Sequence, residues 1–198
     1  MENTGSFHLE AHVKRVPPRL NLASLPTPVE PLAVPGGRDV WIKRDDRSSD
    51  RYGGGKVRKL EFILAQAEVS EARRIRSIGA FGSHHLLALA IHGEVIGLGV
   101  DAIVAPQVVT KAAVRNLAAL TSLGARFIPV MDRLCVPWGM WKGHRDGGAV
   151  FLGPGGSNAA GCLGWVEAGL ELCRQVASGE LAAPSQIYIT AGTAGTSA

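Results

Sequence analysis

Residues 58–130 alternate between helical and strand patterns, and this alternation restricts the fold more than any other feature of the chain. After Lys56, the apolar residues Val57, Leu60, Ile63, Leu64 and Ala67 recur at helical spacing. Arg76 to Ala80 reads as a short strand closed by Gly79 and Gly82. Ser83 is placed to cap a helix through Leu86, Leu87, Leu89, Ala90 and Ile91, which Gly93 stops. Val95 to Val104 is nearly continuous apolar sequence, as a parallel strand buried on both faces would be. Thr110 is placed to cap the next helix, whose buried face is expected to carry Val109, Ala113, Leu117 and Leu120. Gly124 ends that helix, and Arg126 to Val130 supplies a further strand. The alternation predicts a parallel, layered α/β unit.

The flanking stretches are less regular. Residues 1–20 are polar and proline-punctuated, and Pro26, Pro28, Pro31 and Pro35 exclude regular helix. Val40 to Lys43 reads as a strand ending in Arg44-Asp45-Asp46. Arg73-Arg74-Ile75-Arg76 reads as the solvated end of a helix, and residues 131–149 as a connection between domains. Ser157 or Asn158 caps a helix with Ala159, Leu163, Val166, Leu170 and Cys173 on one face. Gln186 to Thr190 reads as a buried strand running into Ala191-Gly192-Thr193-Ala194-Gly195-Thr196.

Composition excludes several classes. With 46% hydrophobic and 19% charged residues the chain is globular rather than disordered. A net charge of +4, spread along the chain, implies weak attraction to anionic ligands and carries no nucleic-acid signature. Cys135, Cys162 and Cys173 contain no CxxC, which argues against a disulfide framework or a zinc site and for a reducing, cytoplasmic setting. The polar N-terminus shows no signal-peptide pattern, and no apolar run is long enough to cross a membrane.

Three stretches are candidates for chemistry. In Gly53-Gly54-Gly55-Lys56 the glycines allow a tight turn and hold Lys56 at a loop-to-helix junction, where exposed N–H groups favour anions. A lysine in a partly dry pocket has a lowered pKa and can attack a carbonyl as a free amine. A solvated lysine after a flexible loop is the competing reading, and for the loop alone it has the larger prior. Gly82-Ser83-His84-His85 is a second loop at a helix start, suited to a carboxylate through Ser83 and the imidazoles. Adjacent histidines point apart and no cysteine or carboxylate stands at ligand spacing, so a metal ranks well below an anion, while capping and packing stay open for His85. Gly192 to Thr196 is a small-residue turn after a strand, equally a phosphate cradle or an ordinary glycine turn. It lacks the lysine of a P-loop, and no Rossmann fingerprint occurs in the chain. Asp45 and Asp46 are neighbours on a strand end and are expected to pair with arginines rather than share acid–base work.

The order Trp41-Ile42-Lys43-Arg44-Asp45-Asp46, Gly53-Gly54-Gly55-Lys56-Val57-Arg58-Lys59-Leu60-Glu61, Pro154-Gly155-Gly156-Ser157-Asn158 and Gly192-Thr193-Ala194-Gly195-Thr196 resembles the 1-aminocyclopropane-1-carboxylate deaminase / D-cysteine desulfhydrase family. That family is a branch of the fold-type-II pyridoxal-phosphate enzymes, similar to tryptophan synthase β. The resemblance implies a two-domain, three-layer α/β architecture with parallel sheets. Residues 1–57 would open a large cofactor domain, 58–150 would form a small α/β domain with its connection, and 151–198 would return to the large domain, which is left incomplete at the phosphate turn. It also implies pyridoxal 5'-phosphate as cofactor, Lys56 as the internal-aldimine lysine, and Gly192, Thr193, Ala194, Gly195 and Thr196 around the phosphate. Ser83, His84 and His85 would meet the substrate carboxylate, with Ser83 a catalytic group and His84 also near the cofactor's phenolic oxygen. Two positions depart from the family pattern: Gly55 and His84 each stand where the family has Asn.

The function implied is a pyridoxal-phosphate-dependent deaminase or lyase acting on a small amino acid, a homodimer at full length, with no nucleic acid, membrane or metal. The alternative is a non-catalytic truncated relative that binds an anion or a partner chain. A nucleotide-binding α/β module ranks third, because neither nucleotide fingerprint is present.

Overall fold

The computed structural model of the chain describes Leu9 and residues 17–36, 39–131 and 149–190. Most of the expected lead-in, most of the expected connection, Cys135 and the turn from Ala191 onward lie outside the described residues.

Two short strands, β1 (Val29–Pro31) and β2 (Trp41–Lys43), pair antiparallel, with Glu30 opposite Ile42. A 3-10 turn (Asp45–Arg47) and the glycine loop lead to α1 (Lys56–Val69). The alternating segment then folds as the pattern predicts: β3 (Arg74–Ala80), α2 (His84–Gly93), β4 (Gly99–Ala105), α3 (Lys111–Ser122) and β5 (Arg126–Pro129). A further strand, β6 (Ala149–Leu152), joins them in a parallel sheet of order β5-β4-β3-β6. β6 straddles the boundary expected between 150 and 151 and lies beside β3. The last helix is α4 (Ala159–Ala177).

Caps set the helix starts. Ser83 Oγ accepts from the Leu86 amide, Thr110 Oγ1 from the Ala113 amide and Asn158 Oδ1 from the Gly161 amide, at 3.3, 3.1 and 2.8 Å. Each such cap contributes about 1 kcal/mol. One apolar core joins Leu60, Ile63 and Leu64 of α1, Ile75 of β3, Leu86 and Leu89 of α2, Val100 and Val104 of β4 and Leu120 of α3.

Several expectations change once the elements pack. Arg74 and Arg76 are strand residues, not a solvated helix end: Arg76 is only 4% exposed, because Asp101, directly opposite on β4, accepts from it at 2.9 Å. The run beginning at Val95 first completes a 3-10 turn (Glu94–Ile96), and the strand starts at Gly99 after Gly97 turns the chain at φ +67°. Val109 precedes the Thr110 cap and is 80% exposed, so α3 instead buries Ala113, Asn116 and Leu120. Gln186 to Thr190 forms no strand, and Ile187 and Tyr188 are exposed: no strand among the described residues lies alongside to pair with it.

The largest change concerns α4. Its buried stripe is Ala160, Gly161, Gly164, Ala168, Glu171 and Gln175, while Ala159, Val166 and Cys173 of the expected apolar face are exposed. Close approach to α1 explains the small residues: a Cβ on Gly164 would lie 2.2 Å from the Arg58 carbonyl oxygen. Leu163 and Leu170 stay half-buried against Leu9 and Phe62 at the flank.

Polar partners on α1 explain the rest. Arg58, 1% exposed, donates to Asp45 Oδ2 (3.0 Å) and Oδ1 (2.8 Å), Glu171 Oε2 (3.0 Å) and Thr27 Oγ1 (3.0 Å). Lys43 donates to Glu171 and to Gln175 Oε1, and Gln175 donates to the Thr27 carbonyl. Asp46 pairs with Arg44, so both aspartates are ion-paired as expected. Glu61, fully buried, accepts from the amides of Leu22 and Ala23 at 3.0 and 2.8 Å and pairs with Arg19.

Burial by itself would raise the Glu171 pKa, but hydrogen bonds from Arg58 and Lys43 override it and hold the carboxyl at about 2, against 4.5 ordinarily. Its folded pKa is therefore depressed. The stability it contributes is present above pH 4.5 and is lost as pH falls toward about 2. Glu171→Gln should flatten that part of the stability profile. Glu171→Ala leaves Arg58 buried with less compensation and should cost about 3–5 kcal/mol, read by urea denaturation. An unchanged denaturation midpoint would contradict the role given to this cluster.

Candidate active site

Lys56 is the first residue of α1, so its position follows from the loop before it and from whatever anchors the helix start. The loop folds back on the 3-10 turn: the Gly54 amide donates to the Asp45 carbonyl at 2.7 Å, and the Ser48 hydroxyl lies 3.1 Å from both the amide and the carbonyl of Gly54. Gly55 is required because the indole of Trp165 packs against it. A Cβ at that position would sit 2.5 Å from a ring carbon. Two residues after Lys56, Arg58 ties the same helical turn into the buried ion cluster.

Lys56 is half-buried, and burial lowers its pKa, which favours the free amine. Lys59, one turn later and fully buried, reaches Ser157 Oγ at 3.1 Å and the Gly155 carbonyl at 3.4 Å. Its pKa is lowered by burial and by the charge of Lys56. His85, 6% exposed, places Nε2 3.0 Å from Ser77 Oγ, and among the described residues its Nδ1 has no partner. Burial first, then the charges of Lys56 and Lys59, push its pKa down to about 4, so the imidazole is neutral near pH 7. Two lysine side chains and a neutral imidazole thus converge where α1 meets α2, and this arrangement favours an anion.

The start of α2 adds to the preference. Ser83 Oγ is occupied as the cap, while the amides of His84 and His85 have no acceptor among the described residues. Unsatisfied amides at a helix start suit a carboxylate or phosphate. The exposed His84 ring lies against Tyr52, with Nδ1 2.6 Å from the Tyr52 hydroxyl. Ser83, His84 and His85 thus stand at the start of α2, with Lys56 close enough to His85 for its charge to lower the imidazole pKa. Gly192, Thr193, Ala194, Gly195 and Thr196 lie outside the described residues.

Sequence reasoning did not single out Lys59, Tyr52, Ser77, Asn116 or Trp165. Lys59 alone carried a legible signal, its spacing of three residues from Lys56 on one helix. The others are contributed from distant elements. Among the described residues no group of three His, Cys, Asp or Glu could hold a metal ion, and no helix is long and apolar enough to cross a membrane.

The chain was compared with known proteins. The family model described as pyridoxal-phosphate dependent enzyme matches residues 20–198. Nocardicin C-9' epimerase of Nocardia uniformis subsp. tsuyamanensis is 34% identical over 190 residues, covering 91% of this chain and 57% of that protein. D-cysteine desulfhydrase of Klebsiella pneumoniae subsp. pneumoniae is 32% identical over 201 residues, covering 91% of this chain and 58% of that protein. The chain therefore spans less than two thirds of the length of either relative. A crystal structure titled as an ACC deaminase homologue superposes with a TM-score of 0.73 at 24% identity, over 91% of this chain and 56% of that one, which shows a shared fold.

Two measurements check the site as built. The His85 ring should titrate near pH 4 rather than 6.5 when followed by NMR, and Lys59→Met should raise that midpoint by removing a charge. Gly55→Asn should destabilise the fold by about 1–3 kcal/mol through overpacking, and Trp165→Leu should recover part of that loss in the double variant.

Proposed function

The chain belongs to the pyridoxal-phosphate dependent enzymes, and from that premise we propose that it is the part of a deaminase or lyase that presents Lys56 to the cofactor and receives a small amino acid. The observation that carries the reading is the half-buried Lys56 at the head of α1, with burial lowering its pKa. The donor set fits the cofactor: a nucleophilic amine, a second ammonium at Lys59, and free amides at the start of α2. When bound, pyridoxal phosphate supplies an aldehyde for the amine and a conjugated ring that draws an electron pair from the amino acid's Cα.

The chain's own residues divide the remaining work. Lys56 would hold the cofactor through its Nζ, and the same amine would serve as acid and base at the substrate's Cα. Ser83 and the amides of His84 and His85 would receive the substrate carboxylate, His84 would donate to the cofactor's phenolic oxygen, and Gly192 to Thr196 would hold its phosphate. Residues 1–57 and 151–198 belong to a cofactor domain, and 58–150 to a small domain that carries the carboxylate loop. The full-length protein is a homodimer in the cytoplasm. The name of the D-cysteine desulfhydrase supports a small amino acid as substrate. A non-catalytic chain that binds an anion or a partner is the second reading, favoured by the exposed apolar Ile187 and Tyr188.

An absorbance spectrum with added pyridoxal phosphate tests the proposal. The parent should show a visible-range band that Lys56→Ala abolishes. A folded parent with no band would overturn the catalytic reading of this chain and favour the second one.

A further inference from the structure

His84 is exposed at the start of α2, and the structure surrounds its ring with groups that determine its proton. Asn116, on α3, donates from Nδ2 to the Gly82 carbonyl at 2.9 Å. A carbonyl only accepts, so the orientation of the Asn116 amide is set, with its nitrogen on that side. The same nitrogen lies 3.5 Å from His84 Nδ1. The Tyr52 hydroxyl lies 2.6 Å from Nδ1, and the two rings stack with centroids 6.4 Å apart and planes at 23°. Burial raises the Tyr52 pKa, so its hydroxyl keeps the proton it donates.

Nδ1 of His84 therefore faces a hydroxyl donor and an amide donor. A proton on Nδ1 would oppose the Asn116 N–H and force the Tyr52 hydroxyl to turn away. A lone pair on Nδ1 satisfies both. The ring's single proton then sits on Nε2, which has no partner among the described residues, on a side chain that is exposed.

We infer that Tyr52 and Asn116 hold His84 as its neutral Nε2–H tautomer, making them positioning residues for one N–H donor directed at an anionic or phenolic oxygen of bound cofactor or substrate. The role of that donor rests on the function proposed above; the state of the ring does not. A neutral imidazole with its proton on the far nitrogen offers an uncharged N–H donor, as a side-chain amide also does. A histidine with its proton on Nδ1 would present a lone pair to the same oxygen and repel it.

The ring is read directly by long-range 1H–15N correlation on the cofactor-free protein at about pH 8, above the ordinary histidine range. The His84 signals are assigned by their loss in His84→Asn. The parent should show Nδ1 unprotonated and Nε2 protonated. Tyr52→Phe should give a mixture of both tautomers. Asn116→Asp, which sets a carboxylate against Nδ1, should move the proton to Nδ1. If Asn116→Asp fails to fold, the Tyr52→Phe spectrum decides. A parent protonated on Nδ1, or an Nε2–H state unchanged in Tyr52→Phe, overturns the inference. A second readout is cofactor affinity from the visible band: Tyr52→Phe should raise the pyridoxal phosphate Kd about fivefold. Because the spectra are taken without cofactor, they decide the inference even for a protein that shows no visible band, and that absence overturns only the functional reading.

Discussion

The start of the helix that carries Lys56 is anchored by one buried guanidinium. Arg58 joins Thr27 ahead of β1, Asp45 before the glycine loop and Glu171 of α4 within a single cluster, and Lys43 of β2 enters through Glu171. Thr27, Asp45 and Glu171 come from separate segments of the chain. Burying such charges costs several kcal/mol per ion unless each finds a partner. Here the fork of Arg58 spans two carboxylates and a hydroxyl, so misplacing any one segment would leave a charge uncompensated. The cluster thus acts as a register device, and because Arg58 stands two residues after Lys56, it also fixes the turn from which that amine projects.

The site's electrostatics follow from the same helix. Lys56 and Lys59 lie on one side of α1, close enough that the charge of the first lowers the pKa of the second. His85, packed beneath them, stays neutral because burial and both ammonium groups oppose a third positive charge. A site with positive charge and free amides at the start of α2 prefers an anion before any chemistry is considered. The Trp165 indole seals its other side against Gly55, which makes the glycine there a packing requirement as well as a turn residue.

Much of this was legible in the chain. The helical spacing after Lys56, the caps at Ser83, Thr110 and Asn158, and the order of strands and helices across 74–129 were recovered. The failures share a cause. The strand expected at Gln186 to Thr190 and the apolar face expected on α4 were judged from hydrophobicity alone, yet each depends on what lies opposite. Gly164 and Glu171 are buried because α1 offers a close-packing backbone and a guanidinium, and nothing in their own spacing says so.

The sequence by itself determined the element order across 74–129, the glycine-to-lysine junction and the family resemblance, because these depend on local backbone preferences and on residue types at fixed spacing. The tertiary structure decided which polar residues are interior, which face of α4 meets α1, and which atom of His84 is left to donate. Those outcomes depend on partners such as Asp101, Glu171, Tyr52 and Asn116, brought in from elements that do not adjoin them in the chain. A buried charge or a ring tautomer is set by the groups around it, and only the folded chain assembles those groups.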